Sequence, residues 1–120
     1  MKKIILDIDK TICFTKSGDY ECSTPNLDLI KKIQDYKKNG FEIILYTSRN
    51  MRTYDGNVGK INKVTLPVLI AWLEKHGVIY DEIYVGKPWC GFEGFYVDDR
   101  AIRPSEFVDY DYEEILKIIK

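Results

Sequence analysis

Residues 3–11 read Lys3-Ile4-Ile5-Leu6-Asp7-Ile8-Asp9-Lys10-Thr11, and the fold follows from how this stretch is built. Lys3 to Ile8 is a short β-branched apolar run of the kind that fills a parallel strand buried on both faces. It ends in polar and charged residues. Working outward, Ser23-Thr24-Pro25 predicts a helix start, with Thr24 as N-cap and Pro25 at the first helical position. Leu27, Ile30 and Ile33 continue it at helical spacing until Asn39-Gly40 closes the segment. Phe41 to Tyr46, FEIILY, is the second strand, and the polar, glycine-containing stretch from Ser48 to Asn62 reads as a long loop. Leu66, Leu69, Ile70 and Leu73 fall at i, i+3, i+4 and i+7, a second helix that ends at His76-Gly77. Glu82 to Val85 and Gly94 to Val97 supply third and fourth strands. Tyr112, Ile115, Leu116 and Ile119 mark the apolar stripe of a terminal helix whose acidic start and Lys-rich end suit the helix dipole. Strands alternating with helices predict an α/β fold, a Rossmann-like three-layer sandwich around a central, mainly parallel sheet.

At 120 residues the chain is expected to be a single domain, 1–120. A hydrophobic fraction of 45% beside 31% charged residues argues against disorder, a fibrous repeat or a membrane protein. The net charge of −1 gives no basic field for a phosphate backbone, so nucleic acid is not the expected partner; no span approaches the ~18 apolar residues a membrane helix requires, so no membrane is expected either. Cys13, Cys22 and Cys90 are odd in number and form no CxxC pair, which excludes a full disulfide framework and points to a reducing, cytoplasmic setting. Met1-Lys2-Lys3 does not open a signal peptide, because Asp7, Asp9 and Lys10 interrupt the apolar stretch behind it.

Parallel sheets bind ligands beyond the carboxyl ends of their strands. Those ends are Asp7-Ile8-Asp9-Lys10-Thr11, Thr47-Ser48-Arg49, Gly86-Lys87-Pro88 and Asp98-Asp99-Arg100. Like charges 4 Å apart repel by about 4 kcal/mol at an effective dielectric of 20, so clustered carboxylates need a cation or shifted protonation. Oxygen ligands without nearby His or Cys favour a hard ion, Mg²⁺ before Zn²⁺. Lys87 and Thr47 suit an anion, as a point charge and a hydroxyl donor for the oxygens of a phosphoryl group.

In this order, DIDKT, a hydrophobic strand ending in Thr47, the lone Lys87 and a strand ending in Asp98-Asp99 resemble the haloacid dehalogenase superfamily of phosphohydrolases. The resemblance spans nearly the whole chain. It implies a core of that family's type, with Asp7 as nucleophile and Asp9 as general acid and base. It makes Thr47, Ser48 and Lys87 phosphate binders and Asp7, Asp9 and Asp98 the Mg²⁺ site, with Asp99, Thr11 and Arg49 in support. Asp9 is the feature that separates the phosphatases from relatives that are not phosphatases. Lys10 departs from the family, which commonly has Gly there.

Neither gap between motifs has room for the cap domain that family members usually carry. Ile12 to Ser23 is a flap-like segment, and a capless site implies a bulky substrate or a homo-oligomer that covers it. The segments TSRNMRTYDGNVGKIN and GKPWCGFEGFYVDDRAIRPSEF resemble a small bacterial group associated with capsular or surface polysaccharide biosynthesis, which implies a phosphorylated sugar or sugar-linked small molecule as substrate. Arg49, Arg52, Tyr54, Arg100 and Arg103 either line the approach to the phosphate or form solvated surface. His76 and Cys90 are given no catalytic role. Two alternatives are a receiver-like phosphoacceptor and a non-catalytic partner in a biosynthetic assembly. Receivers carry the acceptor Asp on the third strand, and Glu82 to Val85 supplies none.

Overall fold

The structure, a computed structural model, describes residues 2–16, 23–86 and 92–119. Its centre is β1, Lys3–Asp7, in which Ile4, Ile5 and Leu6 are all buried because strands pair on both sides of it. β2, Cys13–Phe14, and β3, Thr24–Pro25, form a small antiparallel hairpin just beyond the end of β1. Then follow α1, Leu27–Lys38, β4, Glu42–Thr47, α2, Val58–Lys75, β5, Glu82–Val85, and β6, Phe95–Val97. Two short helices, α3, Pro104–Asp109, and α4, Tyr112–Ile118, end the described chain.

The main sheet has the order β5-β4-β1-β6 with every pair parallel. The chain steps outward from β1 to β4 to β5, then returns to the far side of β1 for β6. The order therefore reverses at β1, and its carboxyl end is the switch point where open α/β sheets bind ligands. Two crossovers stepping in the same direction place their helices on the same face. Ile30 and Ile33 of α1 and Leu69, Trp72 and Leu73 of α2 accordingly share one cluster with Ile4, Leu6, Ile43 and Leu45. The opposite face carries Ile5, Ile44 and Tyr46, with Tyr96 packed against them.

The α/β expectation holds, and two element boundaries and the burial of the terminal helix differ from it. Thr24-Pro25 does not start α1; it is the edge strand β3, where proline's missing N–H costs no ladder bond. Asn26 caps α1 instead, its Oδ1 accepting from Leu29 N at 3.2 Å while its Nδ2 donates to Thr11 O at 3.2 Å. The polar loop is shorter than expected, because Asn57 caps α2 by accepting from Lys60 N and the helix opens at Val58. Only Ile61 and Thr65 of those first turns are buried, so a helical segment facing solvent reads as loop. The terminal stripe of Tyr112, Ile115 and Leu116, with Ile119 as the C-cap, is helical but not core: α3 and α4 contain no buried residue. Among the described residues, no helix is long and apolar enough to cross a membrane.

Asn26 ties the helix start to the loop after β1. Asn26→Ala should destabilise the fold by about 1–2 kcal/mol, lowering the midpoint of a thermal melt by roughly 5 °C. Asn26→Asp, which keeps the cap acceptor but not the donor to Thr11, should recover part of the loss. An unchanged melt in Asn26→Ala would remove the cap from the stabilising contacts.

Candidate functional site

Beyond Asp7 the backbone curls tightly, with the N–H groups of Thr11, Ile12 and Cys13 all donating to Ile8 O at 3.2, 2.8 and 3.2 Å. Lys10 sits at the corner with φ +63°, the left-handed region that favours glycine. This curl sends Asp7 and Asp9 to different neighbourhoods.

Asp7 lies on the face of Ile5 and Ile44, opposite Tyr46 in the β1–β4 register. One carboxylate oxygen from each of Asp7, Asp98 and Asp99 lies within 4.8 Å of the others, and all three residues are half-buried. The Thr11 hydroxyl donates to Asp7 Oδ2 at 3.4 Å. Asp98 is held from both sides, with the Tyr46 hydroxyl donating to Oδ2 and the Arg100 N–H donating to Oδ1 at 2.8 Å. Desolvation, the Asp99 hydrogen bond and the charges of Asp98 and Asp99 push the Asp7 carboxyl up to about 8 from its ordinary 3.8. Burial and the Asp98 carboxylate likewise push the Tyr46 phenol upward, which keeps it a donor.

Asp9 faces a cation. Arg49 Nη2 donates to Asp9 Oδ1 at 2.8 Å, Arg49 Nε adds a contact at 3.2 Å, and the Thr47 hydroxyl donates to Oδ2 at 3.3 Å. The Arg49 backbone N–H closes the circuit by donating to Thr47 Oγ1 at 2.9 Å. Arg49 is only 4% exposed and Thr47 only 1%. The thiol of Cys13 lies 3.6 Å from Arg49 Nη2, and burial and the Asp9 charge push it up to about 11, so it stays protonated and inert.

The expected metal set of Asp7, Asp9 and Asp98 thus differs from the clustered carboxylates in one member: Asp99 belongs, and the Asp9 carboxylate is turned to Arg49. Arg49 is an internal ion-pair partner rather than a surface residue on the approach. Ser48 is exposed beside the buried Thr47. Lys87, and Cys90 near it, lie outside the described residues. Tyr46 was missed; its only signal is the β1–β4 register that sets it beside Asp7.

An all-carboxylate group with one member protonated for lack of compensation fits a hard divalent cation, Mg²⁺ by donor type.

No protein-family model matches the chain, and nothing among the curated proteins matches it. Among solved structures, the Vibrio cholerae protein determined as MCSG Target APC26283 is 55% identical over 99% of this chain and 97% of that one, with a TM-score of 0.71. The chain belongs to the family of that protein. A chain in the structure of the Pnkp1/Rnl/Hen1 complex matches with a TM-score of 0.53 over 90% of this chain and 34% of that one. At 18% identity, that likeness is one of fold alone.

Two outcomes follow from the site. Relieving the left-handed strain by Lys10→Gly should stabilise the fold by about 1 kcal/mol, raising the melting midpoint by roughly 4 °C. In chelator, folded Asp7 keeps a proton between pH 3.8 and about 8 that the unfolded chain has released, so its contribution to stability declines as pH rises through that window. Asp7→Asn, which cannot ionise, should gain on the wild type between pH 4 and pH 8 in thermal melts. A constant difference across those pH values would contradict the raised carboxyl.

Proposed function

We propose that this chain is a Mg²⁺-dependent phosphomonoester hydrolase of the haloacid dehalogenase type, without a cap, working through an aspartyl-phosphate on Asp7. The observation that carries this is the carboxylate at the end of the central strand, grouped with Asp98 and Asp99 at the switch point of the sheet. Asp7, Asp98 and Asp99 would hold the cation. When bound, it neutralises the carboxylates and the approaching phosphate dianion and polarises the phosphoryl oxygens.

The rest is done by the chain itself. Asp7 Oδ attacks phosphorus, a P–O bond to Asp7 forms, and the bond to the leaving oxygen breaks. Asp9, two residues on, gives that oxygen its proton and then takes one from the water that splits the acyl phosphate, returning Asp7 and free phosphate. Both Asp9 oxygens are acceptors as described, from Arg49 and Thr47. Delivering a proton therefore requires the carboxylate to swing off Arg49, and the guanidinium draws it back as base. Tyr46 and the Arg100 N–H fix Asp98, and Thr11 steadies Asp7. Lys87 completes the phosphate cradle in this reading. The likeness to polysaccharide-associated chains supports a phosphorylated sugar, or a sugar-linked small molecule, as substrate in the cytoplasm.

With p-nitrophenyl phosphate and Mg²⁺, nitrophenolate release should be abolished by chelator. Asp7→Asn should fall to background, and Asp9→Asn should lose about 10²–10⁴-fold in kcat. Full turnover in Asp7→Asn would sink the nucleophile assignment.

A further inference from the structure

Next to the carboxylate group lies a cavity of about 400 Å³ lined by Lys10, Phe14, Thr15, Asp99, Arg100 and Ile119. Its walls come from four parts of the chain: the curl after β1, the β2–β3 hairpin, the turn after β6, and the end of α4. Asp99 faces both this cavity and the carboxylate group. We propose that the cavity receives the leaving group of the phosphomonoester, and that this leaving group carries a second anionic group bound by Lys10 and Arg100, on a ring that lies against Phe14. This rests on Asp7 being the reacting carboxylate.

Charge is the first support. Lys10 and Arg100 bring two cations to one small cavity, and neither is in an ion pair among the described residues. Asp99 is the cavity's one carboxylate, and a divalent cation at the adjoining group would engage it. That leaves two positive charges facing the space beside the reacting phosphate. A point charge and a planar fork together suit a phosphate or carboxylate.

Backbone strain is the second. The peptide at position 10 is fixed by its own N–H, which donates to Cys13 O at 2.8 Å, within a curl already held by three bonds to Ile8 O. Glycine would form that corner without strain, yet a lysine stands at φ +63°. What lysine adds there is a cation on the cavity wall.

The third is the apolar wall. Phe14 is 48% exposed although it lies in a strand, and it lines the same cavity as the two cations. Such a surface takes the flat face of a ring while the cations take its charge. The hairpin is braced behind it, with Thr15 Oγ1 and Ser23 Oγ 2.5 Å apart and Ser23 O accepting from Trp72 Nε1 at 3.0 Å. Ile119 closes the remaining side, and the volume suits one sugar- or nucleoside-sized group.

Two ligand pairs test this: glucose 6-phosphate against glucose 1,6-bisphosphate, and adenosine 5′-monophosphate against adenosine 3′,5′-bisphosphate. In at least one pair the bisphosphate should have a KM about tenfold or more lower. That preference should shrink about tenfold in Lys10→Met and in Arg100→Met and return in Lys10→Arg; the pair with the larger ratio tells which ring Phe14 accepts. The same four ligands are titrated by calorimetry into Asp7→Asn with Mg²⁺, where no turnover is needed. A bisphosphate preference that depends on Lys10 and Arg100 in that titration upholds the cavity even if no phosphatase activity is found, which would count against the hydrolase reading alone. Ratios near one in both pairs, or a preference indifferent to Lys10 and Arg100, would overturn it.

Discussion

Three carboxylates held close together in a half-buried corner set the terms for everything around them. Asp7 comes from the central strand, and Asp98 and Asp99 from the turn after its neighbour, so the parallel pairing of β1 with β6 brings like charges together. Unopposed, each such pair at contact distance repels by several kcal/mol. The protein answers with donors rather than distance: the Tyr46 hydroxyl and the Arg100 N–H on Asp98, and the Thr11 hydroxyl on Asp7. These neutral donors are not enough to keep all three ionised, and Asp7 retains its proton far above the usual carboxylate range. A site built this way is stable without a cation only by protonation, and a hard cation would displace that proton.

Separating Asp9 from this group solves a second problem. A fourth carboxylate two residues from Asp7 would deepen the repulsion if it pointed the same way. The curl around Ile8 O turns it instead toward Arg49, a guanidinium almost wholly removed from water. Burying such a charge is costly unless it is paired and hydrogen-bonded. Asp9 supplies the pairing, and no buried side-chain polar atom among the described residues lacks a partner. The two aspartates of one short motif therefore sit in opposite electrostatic settings, one crowded by like charge and one facing a cation.

Strand ends were legible in the sequence because their signal is local: an apolar run stops and a charge begins, as at Asp7, Thr47 and Asp98. The helix starts were less so. Thr24-Pro25 satisfies every local rule for a helix N-terminus, but pairing with Cys13-Phe14 outweighs it, and Asn26 is an equally good cap two residues on. Tyr46 and Arg49 were illegible as partners for a different reason. Tyr46 meets Asp98 across 52 positions and Arg49 meets Asp9 across 40, and both contacts depend on strand register and loop curvature. Composition cannot report a register.

The circuit of Asp9, Thr47 and Arg49 also changes what Thr47-Ser48-Arg49 is for. Read along the chain, the three polar residues at the end of β4 invite a purely ligand-facing role. In the fold, Thr47 Oγ1 accepts from its neighbour's backbone and donates to Asp9, while the Arg49 side chain reaches the same carboxylate. Those bonds lock the end of β4 to the curl after β1, so the distance between the two strand ends is set by the ion pair itself. Because both partners are tied into backbone turns, the pair cannot slide along either strand, and Arg49 and Thr47 together hold the Asp9 carboxylate. If Asp9 is the general acid and base of the proposed reaction, it must leave those bonds to reach the leaving oxygen, a swing of one side chain on an otherwise fixed frame. Under the proposed hydrolase reading the buried guanidinium is a positioning residue, and the reacting atoms are those of Asp7 and Asp9.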